Sequence, residues 1–113
     1  LMNKKNVIVN KIISDTYVEP KFVSPCHAGT LFGVIEANGL VRPCEVLDRN
    51  LGNLRDHNYD FQEIWQSQEA KDLSAWIKAS KCNCTYECAW SFNVLGNARY
   101  QPALMAAALG KYW

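Results

Sequence analysis

The chain has 113 residues, enough for one folded domain, and 49% of them are hydrophobic, with four Trp and five Tyr to fill a core. A formal net charge of +1 with 20% charged residues provides no basic face of the kind that binds a phosphate backbone, and too little acid for a disordered tail. No apolar stretch approaches the roughly 18 to 20 residues of a membrane span, and Leu1-Met2-Asn3-Lys4-Lys5 leads into no signal-peptide core, so neither nucleic acid nor membrane is an expected partner and a cytoplasmic location is.

An opening Leu where Met would stand reads as a piece of something longer. Val7, Ile8, Val9, Ile12 and Ile13 make a β-branched run with the composition of a strand, and Pro20 and Pro25 break up the segment between it and Cys26. Residues 1–25 are therefore expected to be a connector with one strand. The clearest local signal comes next: Leu31–Glu36 and Leu40–Glu45 are apolar runs on either side of Asn38-Gly39, a pair favoured in two-residue hairpin turns whose central residues both need positive φ. Such a hairpin would return Cys44 towards Cys26.

Leu51-Gly52-Asn53-Leu54 reads as a turn, and Asp60-Phe61-Gln62-Glu63 as a capping box, with Asp60 as N-cap and Glu63 reaching back to its amide. A short helix is then expected to carry Ile64 and Trp65 inwards. From Glu69 to Lys78, Ala70, Leu73, Trp76 and Ile77 recur at helical intervals, and that helix is expected to end near Ser80. Residues 89–95 fit a helix or a loop. Pro102 opens a C-terminal helix over Ala103–Leu109, and Gly110 closes it, so that 98–113 packs as a helical tail on the rest. The expected fold class is α+β: a small β-hairpin followed by short helices around a cysteine-ligated metal or cluster site.

That site rests on five cysteines in two groups, Cys26 with Cys44, and Cys82, Cys84 and Cys88 within one short segment. Five is odd and well below the roughly 8 to 10% cysteine of small disulfide scaffolds, so metal ligation explains the pattern better than bridging. A [4Fe–4S] cubane takes four thiolates; five cysteines supply one such site with one to spare and cannot supply two. Tetrahedral zinc is the direct competitor, although neither group has the Cys-x₂-Cys spacing of a zinc knuckle, and buried or redox-active thiols are the third reading.

Several blocks together resemble the SPASM/twitch domain, the auxiliary iron–sulfur domain of many radical S-adenosylmethionine enzymes. They are Cys26-His-Ala-Gly29, Gly39-Leu-Val-Arg-Pro43-Cys44-Glu45, Leu51-Gly-Asn-Leu-Arg-Asp56, Ile64-Trp-Gln-Ser67 and Cys82-Asn-Cys84-Thr-Tyr-Glu-Cys88, over residues 26 to 97. The resemblance implies one [4Fe–4S] cluster held by Cys26, Cys44 and Cys88, with Cys84 or Cys82 as the fourth ligand. Cys84 is favoured because Cys84-x₃-Cys88 keeps the last step of the family's cysteine run.

Full SPASM domains carry seven cysteines and two clusters; the shorter run here fits one. The resemblance also implies a radical S-adenosylmethionine barrel elsewhere in the same parent chain and, in that parent, a peptide or small-molecule substrate. This chain lacks the initiating Cys-x₃-Cys-x₂-Cys, with Ser91 where its last cysteine would fall. It is thus expected to be non-catalytic alone and to serve electron transfer or substrate positioning, against the alternative of a zinc-binding structural or interaction module.

The remaining candidates have plainer readings. His27 and His57 fit exposed loop residues, Glu87 a surface carboxylate, and Arg42 and Arg55 solvated or ion-paired cations. Trp65, Trp76 and Trp90 are expected in the core.

Overall fold

Where Asn38-Gly39 reverses the chain, the computed structural model, which describes residues 1–110, has an antiparallel hairpin of β1 (Val34–Ile35) and β2 (Leu40–Arg42). Val34 faces Arg42 and Ile35 faces Val41. The turn differs from the two-residue form expected: the Gly39 amide donates to Glu36 O at 2.9 Å, and only Gly39, at φ +91°, has positive φ. That is a three-residue loop ending on a left-handed glycine, with Asn38 using its Oδ1 to accept the Leu40 amide at 3.1 Å.

The turn expected at 51–54 is instead a third strand, β3 (Gly52–Asn53), which pairs antiparallel with β2 through Leu40–Asn53 and Val41–Gly52. Gly52 sits at φ +144°, and Asn53 then caps a 3₁₀ turn over Leu54–His57 by accepting the Arg55 amide at 2.9 Å. Asp60 is the N-cap of α2 (Phe61–Trp65), accepting the amides of Gln62 and Glu63 at 3.1 and 3.4 Å. Glu63 does not close the box on Asp60; its carboxylate lies 3.0 Å from His57 Nδ1, which makes His57 a partly buried, paired residue.

Helix α3 (Gln68–Ala79) is capped by Ser67 and ends at Ser80. It buries Ala70, Ser74 and Ile77, whereas Trp76 remains 44% exposed with Arg49 over its ring, contrary to the expectation of a core residue. Val41, Pro43, Ile64 and Ile77 form the apolar interior of this part of the chain.

The largest departure lies at the N-terminus. Residues 2–18 form α1 (Met2–Val18), and the strand expected there is absent. The face that α1 buries is Lys5, Val9, Ile12 and Thr16, at steps of four, three and four, so the side chains that reach the core follow a helical period. Val9 and Ile12 pack with Trp90 and Val94 of α4 (Glu87–Gly96) and with Leu104 of α5 (Gln101–Ala108). Trp90 is 2% exposed, as the core reading requires. Pro102 stands in the first turn of α5, and Gly110 follows its C-terminus at φ +72°, as expected; residues 111–113 of the expected tail lie outside the described residues.

The architecture is α+β, a three-stranded antiparallel sheet with five α-helices among the described residues. It falls into two compact units, one made of Leu1–Cys26 with the segment from Lys81 onward, the other of His27–Ser80. No helix among the described residues is long and apolar enough to cross a membrane.

Candidate metal centre

Four of the five cysteines belong to the helical unit. Cys26 is half-buried, and its Sγ accepts a hydrogen bond from Asn93 Nδ2 at 3.4 Å. Asn93 is 2% exposed on α4, the same helix whose first turn carries Cys88. Asn93 is not among the residues that the sequence singles out; its one sequence signal is a lone amide between Trp90 and Val94, on the helix face that enters the core.

Cys82 and Cys84 are half-buried in the loop that leads into α4, and Cys88 is exposed. Two contacts shape this loop. Lys81 adopts φ +54° at its start, with Asn83 Nδ2 donating to the Lys81 carbonyl at 3.2 Å, and the Trp90 indole N–H donates to the Cys84 carbonyl at 2.6 Å. The side chain that anchors the helical core therefore also holds the backbone of Cys84. Glu87 is exposed, as its plain reading had it.

Cys44 belongs to the sheet unit and is 9% exposed. It follows the fully buried Pro43 at the end of β2, and its Sγ accepts the backbone amide of Leu47 at 3.2 Å. Arg42, two residues earlier, forms an ion pair with Glu36 at 2.9 Å, in accord with the paired reading of that cation. His27 is half-buried rather than exposed, and its pKa is lowered, first by burial and second by the nearby Lys78 ammonium, which favours the neutral imidazole. Beside Gly29 and Thr30 lies an open cleft of about 510 Å³, to which α3 contributes Lys71, Ser74 and Lys78; it offers ammonium and hydroxyl groups rather than thiols.

Among the described residues, no group of three or more His, Cys, Asp or Glu side chains stands together as a ready metal site. The donor chemistry nevertheless fits a soft, thiolate-bound group. None of the five thiols is in a disulfide, and two of the sulfurs, those of Cys26 and Cys44, accept N–H hydrogen bonds of the kind that stabilise ligating thiolates.

The family model SPASM, an iron–sulfur cluster-binding domain, matches residues 26–89, more than half of the chain and all five cysteines. No curated protein and no solved structure gives a match. By that match the chain belongs to the SPASM family of iron–sulfur cluster-binding domains.

Proposed function

We propose that this chain is the auxiliary module of a radical S-adenosylmethionine enzyme and binds one [4Fe–4S] cluster through Cys26, Cys44, Cys84 and Cys88. The observation that carries the reading is the family match across all five cysteines. The N–H donors already on Cys26 and Cys44 support it further. Cys84 is the better fourth ligand than Cys82 because the Trp90 indole holds its backbone and because Cys84-x₃-Cys88 follows the family's spacing. The module proper spans 26–97, within a parent chain that also supplies the catalytic barrel and meets a peptide or small-molecule substrate in the cytoplasm.

When bound, such a cluster accepts or donates one electron. With four thiolates on four irons no iron is left open, which favours electron transfer or structural support over direct binding of substrate. Cys44 is itself only 9% exposed, next to the fully buried Pro43, and the chain supplies N–H donors to the sulfurs of Cys44 and Cys26.

Anaerobic reconstitution with iron and sulfide tests this. About four irons and four sulfides per chain are expected, with a visible charge-transfer band and a rhombic EPR signal after reduction. Cys26→Ala, Cys44→Ala and Cys88→Ala should each abolish the cluster. Stoichiometric zinc that survives anaerobic handling, with no uptake of iron, would establish the structural alternative instead.

A further inference from the structure

Strand β2 ends in Arg42, and the register of the hairpin sets Arg42 opposite Val34, with Glu36 just beyond the last cross-strand pair. One arm of the guanidinium, Nη1, lies 2.9 Å from Glu36 Oε1; the other, Nη2, donates to the carbonyl of Leu47 at 2.8 Å. The Leu47 carbonyl also accepts the Arg49 amide at 2.8 Å, and the Leu47 amide is the one that donates to Cys44 Sγ. Both backbone groups of Leu47 are therefore held, one by the arginine fork and one by the sulfur.

The pair is partly desolvated, the Arg42 side chain being 17% exposed and that of Glu36 36%. A planar fork is suited to this task, because its two arms reach a carboxylate and a carbonyl together in a fixed geometry that a flexible ammonium lacks.

We propose that Arg42, braced by Glu36, is a positioning residue for the metal centre: it fixes Leu47 so that its amide stays aimed at Cys44 Sγ, and through that bond it raises the reduction potential of the cluster that Cys44 holds. This rests on the function proposed above. A hydrogen bond to a ligating sulfur disperses the negative charge that reduction adds, so its loss makes the cluster harder to reduce.

The test uses the full chain with Arg42→Met, Arg42→Lys and Glu36→Gln. In the metal-free chain, amide hydrogen exchange read by NMR should be roughly tenfold faster at Leu47 in both Arg42 variants, with Ile77 of α3 unchanged as the reference. Lysine should fail to rescue, since it keeps the charge and loses the fork. After anaerobic reconstitution, the midpoint potential should fall by about a tenfold change in the reduction equilibrium, about 59 mV for one electron.

Unchanged exchange at Leu47, or an unchanged potential in a loaded Arg42 variant, overturns the proposal. Glu36→Gln answers the same two questions with a smaller change in the same direction, should the Arg42 variants fail to fold. A wild-type chain that takes up no iron or sulfide overturns the cluster reading, and with it the tuning, whereas the exchange comparison still decides whether Arg42 holds Leu47.

Discussion

Trp90 links the helical core to the cysteine loop, and replacing it with Phe separates these two roles. The indole is 2% exposed and packs with Val9, Ile12, Val94 and Leu104, while its N–H reaches the Cys84 carbonyl at 2.6 Å. Trp90→Phe keeps an aromatic ring in the core but removes roughly 40 Å² of buried apolar surface, worth about 1 kcal/mol at about 25 cal/mol per Å². It also removes one donor from a partly buried carbonyl, worth about 1 kcal/mol more. The sum is about 2 kcal/mol, less than the roughly 3 to 5 kcal/mol expected of truncation to Ala, and for a chain of this size it lowers the melting temperature by roughly 6 to 10 °C. Thermal unfolding followed by circular dichroism, under anaerobic reducing conditions and without metal, measures this total. Amide exchange then divides it: residues 82–86 should loosen more than α5, because only the loop loses a hydrogen bond. A melting temperature within about 2 °C of the wild type, or exchange that accelerates equally in the loop and α5, would refute the reasoning.

Three further substitutions probe other joints of the fold. Gly39→Ala places a Cβ 2.6 Å from Asn53 Oδ1 on a backbone at φ +91°, and urea unfolding should show a loss of about 2 kcal/mol from the left-handed strain and the displaced Asn53. Asp60→Ala strips α2 of its N-cap and should cost about 1 kcal/mol by the same measurement. Lys5 is 7% exposed with its Nζ 3.1 Å from Ser91 Oγ; Lys5→Met should raise the unfolding free energy by about 1 kcal/mol by ending the buried stem in an apolar group, whereas Ser91→Ala should lower it by about the same amount.

The parts of the fold readable in advance were those decided by local chemistry. Asn38-Gly39, Asp60, Pro102 and Gly110 stand at a turn, a cap, a helix start and a helix end because their backbone and side-chain preferences act within a few residues. The α1 helix was hidden for the opposite reason. Its buried face contains Lys5 and Thr16 beside Val9 and Ile12, so the helical period was masked by two polar members, while exposed Val7 added to a strand-like run. Strand β3 is only Gly52 and Asn53, neither of which favours a sheet; the open edge of β2 recruits them. Trp76 follows the helical period yet faces outwards, where stacking under Arg49 covers part of the ring. In the site, the cysteines and their family blocks could be read directly; the lone amide of Asn93 on a buried helix face was a local signal too, but its partner Cys26, 67 residues away, and the Arg42–Leu47 bracket, made through a carbonyl, are contacts that no local pattern reports.

The count of thiols offers a decision between Cys82 and Cys84 that does not depend on seeing the cluster itself. Five cysteines against the four that the proposed closed cubane takes would leave one sulfur outside the site. Both candidates are half-buried in the same loop, so exposure alone does not choose between them. Cys84 is favoured by its spacing to Cys88 at the first turn of α4, with three residues between them, and its carbonyl is held by the Trp90 indole. Brief alkylation of the reconstituted chain under anaerobic conditions, followed by peptide mass spectrometry, should therefore label Cys82 alone, and removal of iron should expose the other four. Labelling of Cys84 with protection of Cys82 would exchange the two assignments while leaving the cluster in place. Labelling of two or more cysteines in a chain that holds a full complement of iron and sulfide would mean that the cluster keeps an iron open, and electron transfer would then no longer be favoured over direct binding of substrate.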